Sequence, residues 1–238
     1  LGDAELPGVQ KKIIAETRMG NKIVITATQM MQSMITNAQP TRAEVLDVAN
    51  AVLDGTDAVM LSAETAVGRH PARVVAAMDR VCKGAERQHS ARVSTHRMDI
   101  HFKTTEEAIS MATMYTANHH NITAILALTE SGTTPMWMSR ISSGIPIIAA
   151  TRVPETERRL ALYRGVYPVP FDATTVSRAN LNWAAVEEIK RRGLVQDGDQ
   201  IILTKGDRYG AEGGTNAMKI LKVGAVTGGA DSAGSEST

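Results

Sequence analysis

Hydrophobic residues along residues 1–90 recur at spacings that alternate between the helix and strand periods. A helix over 8–19 begins after Pro7 and ends at Gly20-Asn21. One face of this helix is predicted to carry Val9, Ile13, Ile14 and Met19. The other predicted elements are a strand over 22–27, a short helical turn within 29–40, a helix over 42–54, a strand over 57–61 and a helix from His70-Pro71 to about Arg87. Alternating strands and helices predict parallel strands.

The helix over 42–54 has start and stop signals at both ends. Thr41 and Glu44 have the T-x-x-E spacing of a capping box, and Gly55 is a typical left-handed stop. Its predicted core face consists of Val45, Val48, Ala49 and Val52. The boundaries of this helix are therefore predicted from local sequence alone.

A second α/β pattern follows a polar, basic stretch that lacks helical periodicity. Thr104 and Glu107 are predicted to cap its first helix, which runs to about His119. The later elements are strands over 122–128, 145–151, 166–171, 200–204 and 217–223, with helices over 134–143, 155–163 and 175–192. We expect an α/β fold with a first domain over 1–90, a linker over 91–102, a three-layer α/β/α domain over 103–224 and a disordered tail over 225–238.

Composition and charge narrow the classes of partner. The chain has 238 residues, 43% of them hydrophobic, and its 26 basic and 25 acidic residues give a formal net charge of +1. We expect no nucleic-acid or membrane partner, because neither a strong positive field nor a long apolar span is present. The expected partner is a small molecule or another copy, and the expected location is the cytoplasm.

Two further features concern the ends and the single cysteine. The chain begins at Leu1 rather than methionine, and we interpret it as a fragment of a longer protein. Cys82 is the only cysteine, so no internal disulfide can form. Its apolar neighbours at helical spacing favour inert packing.

Polar residues follow three of the predicted strands. The segments are Thr26-Ala27-Thr28-Gln29, Ser62-Ala63-Glu64-Thr65 and Thr129-Glu130-Ser131-Gly132-Thr133-Thr134. The carboxyl ends of parallel strands are where α/β proteins bind ligands. Thr28 can instead cap the following turn, and the second segment also resembles an ordinary turn from strand to helix. The third has the hydroxyls and the glycine of a phosphate loop, but capping without a ligand explains it equally well.

Several long segments resemble one known family. Residues 25–71, ITATQMMQSMITNAQPTRAEVLDVANAVLDGTDAVMLSAETAVGRHP, are similar to the signature region of pyruvate kinases. The segments TESGTT, SRISSGIPIIA, LYRGVYPV and GGTN resemble the C-terminal domain of bacterial pyruvate kinases, so the likeness extends to about residue 223. The resemblance implies the last two units of a (β/α)8 barrel, followed by the family's allosteric domain.

The resemblance also implies an activity and a location for the substrate. Pyruvate kinases transfer the phosphoryl group of phosphoenolpyruvate to ADP, giving pyruvate and ATP in glycolysis, with Mg²⁺ and K⁺, as cytoplasmic homotetramers. Thr28 matches the family threonine that binds phosphoenolpyruvate, and Ser62 matches a serine of the proton relay to the enolate. Arg42 and Glu44 match motif positions that we assign to the architecture around the site.

This sequence departs from the family pattern at the catalytic groups. The family's metal ligands, catalytic lysine, potassium ligands and nucleotide-binding arginines have no matching position here. We therefore expect the chain as written to be catalytically inert. The alternative is a non-catalytic module that binds a sugar phosphate or mediates oligomerisation.

A second binding site is implied in the C-terminal domain, for a sugar-phosphate or nucleotide effector. The matching loop residues are Thr129, Ser131, Gly132, Thr133 and Thr134, and the matching second loop contributes Lys205, Arg208 and Gly214. Thr133 occupies a position where many relatives have a basic residue. Losing one charge-assisted contact costs a phosphate about 1.5–3 kcal/mol, which puts the affinity and identity of the effector in question.

Overall fold

The computed structural model describes residues 2–92, 101–207 and 214–225. The chain forms two compact units. Unit 1 comprises Leu1–His101, Met136–Gly144 and Arg159–Val166, and unit 2 comprises Phe102–Pro135, Ile145–Arg158 and Tyr167–Thr238. Most of the predicted linker and nearly all of the predicted tail lie outside the described residues, and the predicted domain limits stay predictions.

Unit 1 contains a short parallel strand pair surrounded by helices. In chain order the elements are α1 (Leu6–Met19), β1 (Ile25–Thr26), a 3-10 helix (Gln32–Ile35), α2 (Arg42–Asp54), β2 (Ala58–Val59), α3 (Ala63–Ala66), α4 (Pro71–Glu86) and α5 (His89–Arg92). Ile25 lies opposite Ala58 and Thr26 opposite Val59, in parallel. The parallel direction was predicted and is confirmed. Both strands are shorter than predicted, because each pairs along only one edge within the described residues.

Helix α1 has the predicted end signals but a narrower core face. Pro7 lies in its first turn, and Asn21, at φ 58°, follows its C-terminal Gly20. Ile14 is buried, whereas Ile13 is 56% exposed and Met19 is 48% exposed. Successive residues are about 100° apart around a helix, so a helix packed on one side buries Ile14 without Ile13. The four apolar residues predicted to lie near one face are therefore not equally buried.

Helix α2 forms with the predicted capping box. The Thr41 side chain accepts a hydrogen bond from the Glu44 N–H, the Glu44 side chain accepts one from the Thr41 N–H, and Gly55 ends the helix at φ 94°. Val48 and Val52 are buried as predicted, whereas Val45 and Ala49 are only half-buried. Ala51 and Glu44 are buried in addition.

The core of unit 1 is rich in methionine. It consists of Met30, Met31, Met34, Val48, Ala51, Val74, Ala77 and Met78. Cys82 is half-buried against this cluster. Burial and the nearby Glu86 and Asp79 carboxylates raise the pKa of its thiol, which disfavours the reactive thiolate. The prediction of packing without reactivity agrees with this environment.

A buried ion pair anchors the start of β2. Asp57 accepts hydrogen bonds from the Arg140 guanidinium, from the Val24 N–H at 2.9 Å and from the Arg164 N–H at 3.0 Å. Both charged side chains of the pair are 1% exposed. Because several donors surround the carboxylate, its burial is compensated. The pair fixes the residues that lead into the second strand.

Unit 2 is built on a five-stranded sheet in the order β5-β4-β3-β6-β7. The strands are β3 (Ala124–Leu128), β4 (Ile147–Thr151), β5 (Val166–Pro170), β6 (Gln200–Gly206) and β7 (Thr215–Lys222). The β3 strand is parallel to β4 and β6, and β7 is antiparallel to β6 with an irregularity between Lys205 and Gly206. These mostly parallel strands confirm the predicted α/β class.

The helices associated with this half of the chain match the prediction unevenly. They are α6 (Thr105–His119), α7 (Thr133–Ser139), α8 (Pro154–Leu160) and α9 (Leu181–Arg191). The Thr104 cap on α6 is confirmed, since its side chain accepts from the Glu107 N–H. Helix α9 begins later than predicted, because Asp172 caps a separate 3-10 turn over Ala173–Thr175. Among the residues that the structure describes, no helix is both long and apolar enough to span a membrane.

Candidate functional site

Thr28 and Ser62 follow the carboxyl ends of the two parallel strands of unit 1. The backbone joins these ends through the Met60 N–H, which donates to the Thr26 carbonyl at 3.0 Å. Parallel strands direct both following loops to the same edge. Both Thr28 and Ser62 are exposed. This edge therefore presents two hydroxyl side chains to solvent.

The hydroxyl of Thr26 is oriented differently from that of Thr28. Thr26 is 7% exposed, and its Oγ1 lies 2.9 Å from Oγ1 of Thr56. The Thr56 hydroxyl also contacts the carbonyls of Val24 and Ala58, each at 3.0 Å. Thr26 therefore helps to hold the strand pair together. Thr28 is left as the accessible hydroxyl of this loop.

A buried glutamate connects the two loops. Glu64 is 4% exposed, and its Oε1 accepts from the Met31 N–H at 3.3 Å, while its Oε2 accepts from the Ser62 N–H at 3.1 Å. Met31 belongs to the loop after β1, and Ser62 to the loop after β2. From the sequence alone, Glu64 belongs only to the second polar segment, without a role of its own.

A second buried glutamate, Glu44, organises the connection between β1 and α2. Its carboxylate accepts from the Ser33 N–H and hydroxyl, each at 2.6 Å, and from the Thr41 N–H at 2.8 Å and hydroxyl at 2.9 Å. Desolvation alone raises the pKa of Glu44, but the hydrogen bonds from Ser33 and Thr41 outweigh it, so the pKa is below its ordinary value. Glu44 is a charged structural anchor, and Arg42 beside it is exposed.

The loop over 129–134 in unit 2 is held by its own hydroxyls. Thr129 Oγ1 accepts from the Gly132 N–H at 2.9 Å, and Ser131 Oγ lies 2.9 Å from Thr133 Oγ1. Gly132 has φ 78°, a conformation that favours glycine. A phosphate in this loop would share or replace these internal contacts.

Thr134 is placed differently from the other hydroxyl residues of that loop. It is fully buried; its Oγ1 donates to the Glu106 carboxylate and lies 2.7 Å from Oγ1 of Thr215. Thr215 opens β7 and follows Gly214, so this contact brings the two predicted effector loops together. The Thr134 hydroxyl holds the loops to each other.

The other residues predicted for the effector site are distributed as follows. Lys205 Nζ donates to Oδ1 of Asn182 on α9 at 2.8 Å. Gly214 is exposed. Its carbonyl oxygen lies close to Gly206, since a Cβ added to Gly206 would be 2.3 Å from that oxygen. Arg208 lies outside the described residues.

The chemistry of the described residues limits what unit 1 can hold. Within the described ranges, no group of three or more His, Cys, Asp or Glu side chains could hold a metal ion. The exposed groups at the strand ends are hydroxyls, which can donate to and accept from an oxyanion. The edge can therefore hydrogen-bond to a polar ligand.

Two family models match the chain. The model described as "Pyruvate kinase, barrel domain" matches residues 1–75, and the one described as "Pyruvate kinase, alpha/beta domain" matches residues 107–221. Together they cover most of both units.

Individual relatives give the same result. The chain is 54% identical over 224 residues to the pyruvate kinase II of Salmonella typhimurium, and 53% identical over 228 residues to a pyruvate kinase of Buchnera aphidicola. Each match covers 94% of this chain and 46% of the relative. A pyruvate kinase of Geobacillus stearothermophilus is 41% identical over 219 residues, covering 91% of this chain and 37% of the relative. The chain thus spans less than half the length of these relatives.

Proposed function

Because the chain belongs to the pyruvate kinase family, we propose that it forms part of an enzyme that transfers the phosphoryl group of phosphoenolpyruvate to ADP in glycolysis. The products are pyruvate and ATP. In this proposal the edge formed by the loops after β1 and β2 faces phosphoenolpyruvate. The enzyme acts in the cytoplasm as a homotetramer.

The parallel pairing of β1 and β2 carries this proposal. It directs the loops that bear Thr28 and Ser62 to one edge, and both hydroxyl residues are exposed there. Thr28 binds phosphoenolpyruvate through its hydroxyl, and Ser62 takes part in delivering the proton that converts enolpyruvate to pyruvate. Each role needs an accessible hydroxyl.

Mg²⁺ and K⁺ belong to the proposed activity, but by the resemblance the family's ligands for both ions have no matching position among the described residues. No group of three or more candidate side chains for a metal occurs among them. We therefore assign no metal ligand to this chain and derive no step through a metal. By the same resemblance, the catalytic lysine has no position here, so the 238 residues by themselves are proposed to be inactive.

The proposal is tested with the gene product that carries these residues. Pyruvate formation is measured from phosphoenolpyruvate and ADP with Mg²⁺ and K⁺ present, beside the 238-residue chain alone. We expect turnover by the gene product and none by the chain alone. Absence of turnover by the gene product under these conditions would refute the proposed activity.

We propose in addition that the loop over 129–134, with Gly214 and Lys205, binds a sugar-phosphate or nucleotide effector. The contact between Thr134 and Thr215 supports this, because it joins the two loops that would share the ligand. Thr129, Ser131 and Thr133 supply hydroxyls, and Lys205 supplies a positive charge. Arg208 completes the proposed set from outside the described residues.

This second site also supports the alternative function, a non-catalytic module that binds a sugar phosphate or mediates oligomerisation. Calorimetry on the 238-residue chain with fructose 1,6-bisphosphate, ribose 5-phosphate and AMP tests the binding. Saturable heat from one of these ligands, with none from phosphoenolpyruvate and no turnover by the gene product, would favour the module. No heat from any of the three ligands would refute the proposal that this loop binds an effector.

A further inference from the structure

We propose that Glu64 is a positioning residue that sets the spacing between the Thr28 loop and the Ser62 loop. This inference rests on the proposed function, since the two loops matter together only if both face one substrate. Nothing in the sequence resemblance assigned Glu64 a role of this kind. Glu64 lies two residues after Ser62 in the segment after β2. Its Oε2 accepts from the Ser62 N–H within that segment, and its Oε1 accepts from the Met31 N–H of the loop after β1.

The backbone alone fixes the two loops weakly. The paired strand residues are Ile25 with Ala58 and Thr26 with Val59. The Val24 carbonyl accepts from the Asp57 and Ala58 N–H groups before the pair, and after it, within the described ranges, only the Met60 N–H, which donates to the Thr26 carbonyl, lies toward the loops. Farther from the strands, the Arg69 N–H donates to the Ile35 carbonyl at 2.9 Å. Between these two points, the Glu64 carboxylate provides the contact that spans the loops near Thr28 and Ser62.

The burial of Glu64 makes this contact costly to lose. Glu64 is 4% exposed. Among the described residues, no ion pair of its carboxylate occurs. A buried carboxylate without a cation depends on hydrogen-bond donors for its stabilisation. The Met31 and Ser62 N–H groups are those donors. Displacing either loop would therefore leave a carboxylate oxygen unsatisfied.

The backbone around Glu64 also leaves little freedom to shift. A Cβ on Gly68 would lie 2.1 Å from the Glu64 carbonyl oxygen, so the chain closes tightly behind α3. Glu64 is thus fixed at its backbone and joined to both loops by its side chain. Displacements of about 1 Å at a reacting centre can cost roughly 10²-fold in rate. A change of about 1 Å in the spacing between the two loops would therefore be expected to lower turnover.

Glu44 provides a matched control in the same unit. Like Glu64 it is a buried glutamate that accepts backbone hydrogen bonds from the loop after β1. Its donors, Ser33 and Thr41, lie within a single connection, so it does not join that loop to the loop after β2. A Glu→Gln change at either position removes the charge and one acceptor from a comparable environment.

The first arm of the test follows the backbone amides of the 238-residue chain by two-dimensional ¹⁵N NMR. Glu64→Gln should shift the amide signals of both Met31 and Ser62, whereas Glu44→Gln should shift those of Ser33 and Thr41. An unchanged Met31 signal in Glu64→Gln would overturn the inference, whatever the Ser62 signal does, because Ser62 lies only two residues from the substituted position. This arm does not depend on activity.

The second arm measures kinetics in the gene product that carries these residues. Glu64→Gln should lower kcat about 10²-fold, with a smaller change in the KM for phosphoenolpyruvate. Glu44→Gln should leave kcat within about threefold of wild type at a temperature where both variants are folded. A wild-type kcat in Glu64→Gln would overturn the inference.

Two further outcomes keep the inference separate from the proposed function. If Glu64→Gln does not fold, Glu64→Asp keeps the carboxylate on a shorter side chain and should show the same fall in kcat, and a wild-type kcat in that variant would overturn the inference. If the wild-type gene product shows no turnover, the proposed activity fails and the kinetic arm cannot be read. The NMR arm then still decides whether Glu64 joins the loops.

Discussion

The two candidate regions hold their polar residues in opposite ways. At the strand ends of unit 1, the framework bonds come from buried carboxylates, Glu44 and Glu64, and the candidate ligand residues Thr28 and Ser62 remain exposed. In the 129–134 loop of unit 2, the candidate ligand hydroxyls bond to the loop itself, and Thr134 is fully buried. Binding and stability are therefore separable in the first region and coupled in the second.

The largest expected effect is on turnover, from Thr28→Val in the gene product. Valine keeps the branched shape but removes the hydroxyl, and a hydrogen bond to a charged group contributes about 1.5–3 kcal/mol. We expect kcat/KM for phosphoenolpyruvate to fall roughly 10- to 100-fold. Unfolding free energy should stay within about 0.5 kcal/mol of wild type, because the residue is exposed. Wild-type kinetics would show that Thr28 does not bind the substrate.

The same substitution in the other region should act on stability instead. Thr134→Val leaves the buried Glu106 carboxylate without its donor and removes the contact to Thr215. We expect a loss of about 1–3 kcal/mol in unfolding free energy, measured by urea denaturation of the 238-residue chain. Thr28→Val in that chain is the matched control. Equal stability of the two variants would break the contrast between the regions.

A third prediction concerns acid and salt, with one carboxylate from each unit. The folded pKa of Glu44 is lowered, so its contribution to stability is present above its unfolded pKa near 4.5 and is lost as pH falls through the folded pKa. Hydrogen bonds from Arg191 and then Arg192 lower the pKa of Glu188 on α9 to about 2, so its contribution disappears from pH 4.5 down to about 2. Both Glu→Gln variants should flatten the loss of stability in acid.

Salt should then distinguish the two carboxylates. The donors to Glu44 are neutral, whereas Glu188 pairs with arginines at a partly exposed position. Raising the salt concentration to 1 M should weaken the stabilising contribution of Glu188, with little change for Glu44. Urea denaturation at pH 3 and pH 7 in low and high salt measures this. Equal salt sensitivity would contradict the assigned causes of the two pKa shifts.

The smallest effect is expected from Ser131→Asp. The added carboxylate should repel a phosphate and weaken the response of the gene product to a sugar-phosphate effector. Turnover without effector should stay near wild type. Ser131→Asn is the neutral control of similar size. An unaltered effector response in the aspartate variant would show that Ser131 does not contact the effector.

Features encoded by neighbouring residues were predictable from the sequence. Helix α2 is the clearest case, because Thr41, Glu44 and Gly55 specify both of its ends locally. The parallel direction of β1 and β2 followed from the alternation of elements. Their two-residue length did not, because the length of a ladder depends on partner strands rather than on the strand's own residues.

The buried polar contacts of unit 1 were not predictable in the same way. Glu64 bonds to a residue 33 positions away, and Arg140 pairs with Asp57 over 83 positions. No spacing rule within a helix or strand encodes such distances. The resemblance identified Thr28 and Ser62 as candidate residues, but the carboxylate that joins their loops became visible only in the structure.

The central claim is that the edge bearing Thr28 and Ser62, rather than the 129–134 loop, faces the acidic substrate. Titration of the ¹⁵N-labelled gene product with phosphoenolpyruvate in the presence of Mg²⁺ and K⁺ tests it directly. The account predicts saturable shifts of the Thr28 and Ser62 amide signals, with those of residues 129–134 unchanged. Shifts confined to residues 129–134 would contradict it.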